Sequence, residues 1–137
     1  TWAYHLTLAE FQKLWSTDIK NKTIYDPCPA GWCVPTDPAY SWKNVNKFSI
    51  ESDGTTAGYM FDASDGTEAA QGGSSWYPAT GYRDAGQLKN LGYAGIYWTA
   101  AFSANTNTPF CLYFDSFKIQ NTTQRPVIAL NVRCMKM

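Results

Sequence analysis

The stretch YDPCPAGWCVPT, residues 25–36, packs two cysteines and three prolines into twelve residues. Each proline fixes its own φ, removes a backbone donor and pushes the residue before it toward extended conformations. The segment can therefore be neither a helix nor a central strand. It reads as a rigid elbow. Whether that elbow holds a metal, runs redox chemistry or staples the fold decides which functions stay open.

Cys28, Cys33, Cys111 and Cys134 are the four cysteines of the 137-residue chain. They allow three pairings, a metal site or free thiols. Structural zinc takes two close cysteine pairs or histidines in their place. Here Cys111 and Cys134 are far apart and the one histidine is His5. A thioredoxin-like redox pair needs C-x-x-C at a helix N-terminus, whereas this is C-x-x-x-x-C bent by prolines. Disulfides formed in an oxidising compartment are the leading reading, with buried unpaired thiols the alternative. A bridge from the elbow to the last segment closes a loop of roughly a hundred residues, about 4.7 kcal/mol in the chain-entropy account.

The length fits one domain spanning residues 1–137, with a single sizeable core. Eleven basic residues balance eleven acidic ones and neither sign clusters, a poor footprint for nucleic acid, which needs a concentrated positive face. Aromatic content is high at 16% and charged content low at 16%, the balance of a β-rich domain with a Gly, Ser, Thr, Asn and Tyr surface. No run of eighteen apolar residues is present to span a membrane. The chain starts at Thr1 without a charged leader and reads as a mature fragment or excised domain, the C-terminal module of a larger surface protein anchored through a preceding region.

Leu8, Phe11, Leu14 and Trp15 have the spacing of one helical face, and Thr7 with Glu10 have capping-box spacing, which predicts a helix over residues 8–15. A second short helix is expected from Asp37, with Pro38 in its first turn. Residues 46–75 read as a long irregular middle, with SDGT turns at residues 52–55 and 64–67 around the strand-like GYMFDA. Strands are expected near Trp76, near Gly95, from Pro109 and over the last eleven residues, where Ile128, Leu130, Val132 and Cys134 alternate with polar or small neighbours. Helices early and strands late predict an α+β domain with a mostly antiparallel sheet.

Five ordered motifs carry a resemblance. YDPCPAGWCVPT is followed by YPATGYR at residues 77–83, GYAGIYWTA at 92–100, CLYF at 111–114 and NVRCMK at 131–136. Together they resemble the Fibrobacter succinogenes major paralogous domain family, over residues 23 to the C-terminus except for 44–75. That resemblance implies an extracytoplasmic bacterial module with a C-type-lectin-like fold, as found in Bacteroidales surface lipoproteins and fimbrillin-like proteins. It also implies that Cys28 pairs with Cys134. Cys33 stands where the family has arginine and Cys111 where it has a small or polar residue, so two unusual cysteines in one chain point to a second Cys33–Cys111 staple.

No motif sets a nucleophile beside a base or pairs two carboxylates, and no enzyme is expected. Asp53, Asp62, Asp65 and Glu68 lie in turn sequences without an ordered calcium loop, so neither metal nor cofactor is expected. What remains is recognition by stiff aromatic side chains. The candidates are Tyr40, Trp42, Trp76, Tyr77 and Tyr93, beside the long middle loop, while Trp32, Trp98, Tyr82 and Arg83 are assigned to structure. The expected function is a non-enzymatic cell-surface adhesion module for a glycan or protein ligand. The alternative is a structural or assembly cap that touches neighbouring fimbrial subunits.

Overall fold

A computed structural model of the chain describes residues 8–11, 13–15, 21–36, 44–50, 57–62, 74–105 and 108–136. They form α1 (Leu8–Phe11) and the strands β1 (Trp32–Cys33), β2 (Asn44–Ile50), β3 (Ala57–Asp62), β4 (Ser74–Pro78), β5 (Tyr82–Asp84), β6 (Gln87–Lys89), β7 (Ala94–Phe102), β8 (Pro109–Asp115), β9 (Ile119–Thr123) and β10 (Met135–Lys136). Every strand pair is antiparallel, in two three-stranded sheets, β2-β3-β4 and β7-β8-β9, and two two-stranded ones, β5-β6 and β1-β10.

The expected α+β, C-type-lectin-like class with short N-terminal helices is overturned, because the described residues are essentially all β. The helix expected over residues 8–15 is the single turn α1. It closes where the Lys13 N–H bonds the Glu10 carbonyl at 3.1 Å. Nucleating a helix fixes several residues for one bond, and eight residues give too few further bonds to offset that cost. The second helix, expected over DPAYSWKNV from Asp37, falls on residues outside the described ones up to 43, and its last two, Asn44 and Val45, begin β2. In the middle segment the expected strand GYMFDA is β3, while β2, where a loop was expected, pairs with it over six positions, and β3 continues onto β4.

The middle of the molecule is the β7-β8 pair, where both faces are covered. Cross-strand pairs Tyr97–Leu112 and Gly95–Phe114 alternate with Trp98–Cys111 and Ile96–Tyr113, and side chains on a strand alternate sides. Tyr97, Leu112 and Phe114 therefore join Ala57, Tyr59, Tyr77 and Ala79 in one core cluster. Ile96, Trp98 and Cys111 form another, packed with Trp15, Tyr82, Tyr113, Leu130 and Val132. A strand buried on both sides reads as an unbroken apolar run, as GIYWTAA does. Phe114 needs its glycine partner: a Cβ on Gly95 would overlap the Phe114 ring. Tyr59 meets the same ring edge-on, centroids 5.0 Å apart.

The last segment, expected as one long strand, is a strand only at β10. Upstream of it, Asn131 takes over the role of a ladder. Its N–H and its side-chain Nδ2 both donate to the Ile96 carbonyl, Nδ2 also donates to the Gly81 carbonyl, and its own carbonyl accepts from Trp98. Ile128 is nonetheless buried and Leu130 and Val132 pack against the core, as the alternation required.

Candidate functional site

The elbow is a staple. Cys28 and Cys134 are disulfide-bonded, Cα atoms 5.7 Å apart and 106 residues apart in sequence. Around the bond, Asp26 Oδ1 accepts from the Cys28 N–H at 2.8 Å and pairs with Lys22 Nζ at 2.9 Å. Lys22 Nζ also donates to the Trp32 carbonyl at 2.8 Å. β1 then pairs with β10, Cys33 opposite Met135, and the Pro35 carbonyl accepts from the Ala100 N–H of β7. Trp32, assigned to structure from sequence, is 41% exposed. With only one side of β1 turned inward, Cys33 occupies it.

The expected Cys33–Cys111 staple is overturned: both are free, buried thiols. Cys33 sits on β1 opposite Met135, whereas Cys111 is fully enclosed between the Ile96 and Trp98 side of β7 and the C-terminal segment. Burial pushes the Cys111 thiol up to about 12. Burial, then the Asp26 charge, raises Cys33 as well. Both behave as small apolar core residues.

The aromatic candidates separate. Tyr40 and Trp42 lie outside the described residues. Tyr77, expected at the ligand surface, is 8% exposed and belongs to the core, edge-on to Tyr97 at 5.1 Å. β4 packs one side onto the β7-β8 pair and Tyr77 is on that side. Trp76 alternates to the other side, half-buried, its ring so close over Gly58 that a Cβ there would come within 2.7 Å of Cζ2. Both are held by Arg133, which sequence reasoning left unassigned. It donates Nη1 to the Trp76 carbonyl at 2.8 Å and lies over the Tyr77 ring, 4.4 Å from its centroid. Arg83, assigned to structure from the sequence, is exposed. Its signal was available in NVRCMK, where a cation one residue before the disulfide must turn toward or away from the core.

Tyr93 is 77% exposed. It follows the β5-β6 hairpin, whose turn Ala85-Gly86 has φ of 49° and 80°. Two consecutive positive φ values match the right-handed twist of a tight hairpin. The signal for this hairpin is DAG between YR and QL, a turn triplet flanked by strand residues. The hairpin is pinned on several sides. Asp84 pairs with Lys89 at 3.0 Å and with Arg125 at 3.8 Å. Arg83 and Ala129 exchange both backbone bonds at 2.9 Å, and Gly92 N–H bonds the Ala79 carbonyl at 2.8 Å. The direct bond from Lys89, helped by Arg125, holds the Asp84 carboxyl below the usual range. From this anchored hairpin and the turn after it, Leu88, Leu91 and Tyr93 face solvent, all within one six-residue run, LKNLGY.

Among the described residues, no three of His, Cys, Asp and Glu gather as a metal-ligand set, and no helix is long and apolar enough to cross a membrane. His5, Asp53, Asp65 and Glu68 lie outside the described residues, and Asp62 ends β3. Comparison with family models, with curated proteins and with solved structures found no match.

Proposed function

We propose that the chain is a non-enzymatic recognition module of an extracytoplasmic bacterial surface or fimbrial protein, and that it holds a protein ligand on the face made by Leu88, Leu91 and Tyr93. The observation that carries the reading is this run of three large apolar side chains, exposed on backbone that is bonded to β5, to Ala79 and to the start of β7. Contact area that is already rigid loses little entropy on binding, and tyrosine is a frequent anchor of interfaces. Two leucines beside the tyrosine make the three exposed side chains largely apolar contact area, which favours protein over glycan. The Cys28–Cys134 bond supports an oxidising compartment, and the five ordered motifs support the bacterial surface family.

The test is binding of fluorescently labelled protein to target cells, before and after protease or glycosidase treatment, and to a glycan array. Tyr93→Ala and Leu91→Ala should each weaken cell binding, by about thirtyfold for an anchor worth ~2 kcal/mol. Melting temperatures should stay unchanged, since neither side chain is buried. Protease should abolish binding and glycosidase should leave it. Binding that survives both substitutions, or follows the glycan, defeats the reading.

A further inference from the structure

β9 is the outer strand of its sheet, paired with β8 on one side and with no described strand on the other. Which of its backbone groups look outward follows from two bonds at its ends. The Asp115 N–H donates to the Lys118 carbonyl and the Gln124 N–H to the Pro109 carbonyl. Lys118 and Gln124 therefore face β8, and in the regular antiparallel register between them so do Gln120 and Thr122, opposite Tyr113 and Cys111. The N–H and carbonyl groups of Ile119, Asn121 and Thr123 point the other way, and among the described residues nothing bonds them.

Native sheets blunt such edges with charges, prolines or bulges. The other outer strands of more than two residues carry one: Lys47 and a register shift in β2, Pro78 in β4, Arg83 and Asp84 in β5, Lys89 in β6, and a register shift in β7, whose outer side also bonds Gly81 and Asn131. The sequence of β9, IQNTT, has no charge, proline or glycine, and its pairing with β8 runs without a shift.

We infer that β9 is a self-association edge, on which a second copy of this chain pairs antiparallel about a two-fold axis through Asn121. A two-fold contact must be self-complementary, and this strand is. Centred on Asn121, Ile119 stands opposite the partner's Thr123 and Asn121 opposite the partner's Asn121. Every outward N–H then meets an outward carbonyl, and no like charges face each other. Lys118 faces the partner's Gln124, an uncharged residue. A partner of different sequence would meet the same backbone, but nothing on this edge selects one. The inference needs no ligand at the Tyr93 face, so the two readings fail separately.

Sedimentation of the intact, oxidised chain over a dilution series is the test, together with amide hydrogen exchange at each concentration. The wild type should show a monomer–dimer equilibrium, with the Ile119, Asn121 and Thr123 amides slowing as the dimer fills. Asn121→Lys sets two like charges across the axis, and Asn121→Pro removes an outward N–H without touching the β8 bonds. Each should weaken association by about tenfold or more and leave the melting temperature of the dilute monomer unchanged. Should the proline variant fail to fold, the lysine variant alone decides, since its side chain is exposed. A wild type that is monomeric throughout overturns the inference, as does a dimer that persists in the lysine variant. Amides that slow only when another surface protein is added would assign the edge to a foreign strand and overturn self-pairing.

Discussion

Arg133 ties the sheet β2-β3-β4 to the chain's last turn by a bond to the Trp76 carbonyl and by its position over the Tyr77 ring. A charged hydrogen bond and a partly desolvated cation–π contact each contribute about 1–2 kcal/mol. Arg133→Leu should therefore lower stability by about 2–3 kcal/mol in urea unfolding, while Arg133→Lys should recover part of it, keeping the charge but not the planar fork. The two thiols give a second residue-scale outcome. A thiol with a raised pKa stays protonated at pH 8, and only the thiolate reacts. In the native state Cys33 and Cys111 should both resist iodoacetamide, and in denaturant without reductant both should label, as read by intact mass. A chain that takes up no label when unfolded would contain a second disulfide.

At the scale of elements, the β5-β6 hairpin and the β8-β9 turn are each organised by one aspartate. Asp115 accepts the N–H groups of Phe117 and Lys118 at 2.8 and 3.0 Å and the Tyr113 hydroxyl at 2.7 Å. Burial opposes its charge more than any single contact favours it, yet the three bonds and Lys118 together hold its carboxyl below the usual range. Asp84 is likewise lowered, by Lys89 first. A depressed carboxyl stabilises the fold fully above the unfolded value, near pH ~4, and that contribution is lost as pH falls through the lower folded values. The melting temperature should thus hold from pH 7 to about 5 and then fall toward pH 2. Asp84→Asn should lower it at pH 7 and flatten the acid limb. An acid limb identical to that of the wild type would remove Asp84 from the account.

For the whole molecule, the Cys28–Cys134 bond closes nearly the entire chain. Long loops lose the most unfolded-state freedom on cross-linking. Reduction, or joint Cys28→Ala and Cys134→Ala substitution, should lower stability by about 2–5 kcal/mol, measured as the shift in urea midpoint with and without dithiothreitol. The β1-β10 pair and the Lys22–Asp26 ion pair meet at the same place, so their amides should be the ones whose exchange accelerates most. Uniform acceleration would mean that the bond acts on the unfolded chain alone.

The stiffness of residues 25–36, the strands at β7 and β8 and the inward set Ile128, Leu130 and Val132 were legible from the residues, because proline stereochemistry and side-chain alternation act over a few positions. The helix over residues 8–15 was misread for the same local reason in reverse: its spacing was right, but a short helix depends on packing rather than pattern. Which of Trp76 and Tyr77 turns inward, that Arg133 bonds the Trp76 carbonyl, and that Cys33 and Cys111 stay unpaired were decided only when β4 came to lie on β7 and β8 and the C-terminal segment came to lie against β7. A strand's pattern says that its faces differ; only the element packed against it decides which face is the core.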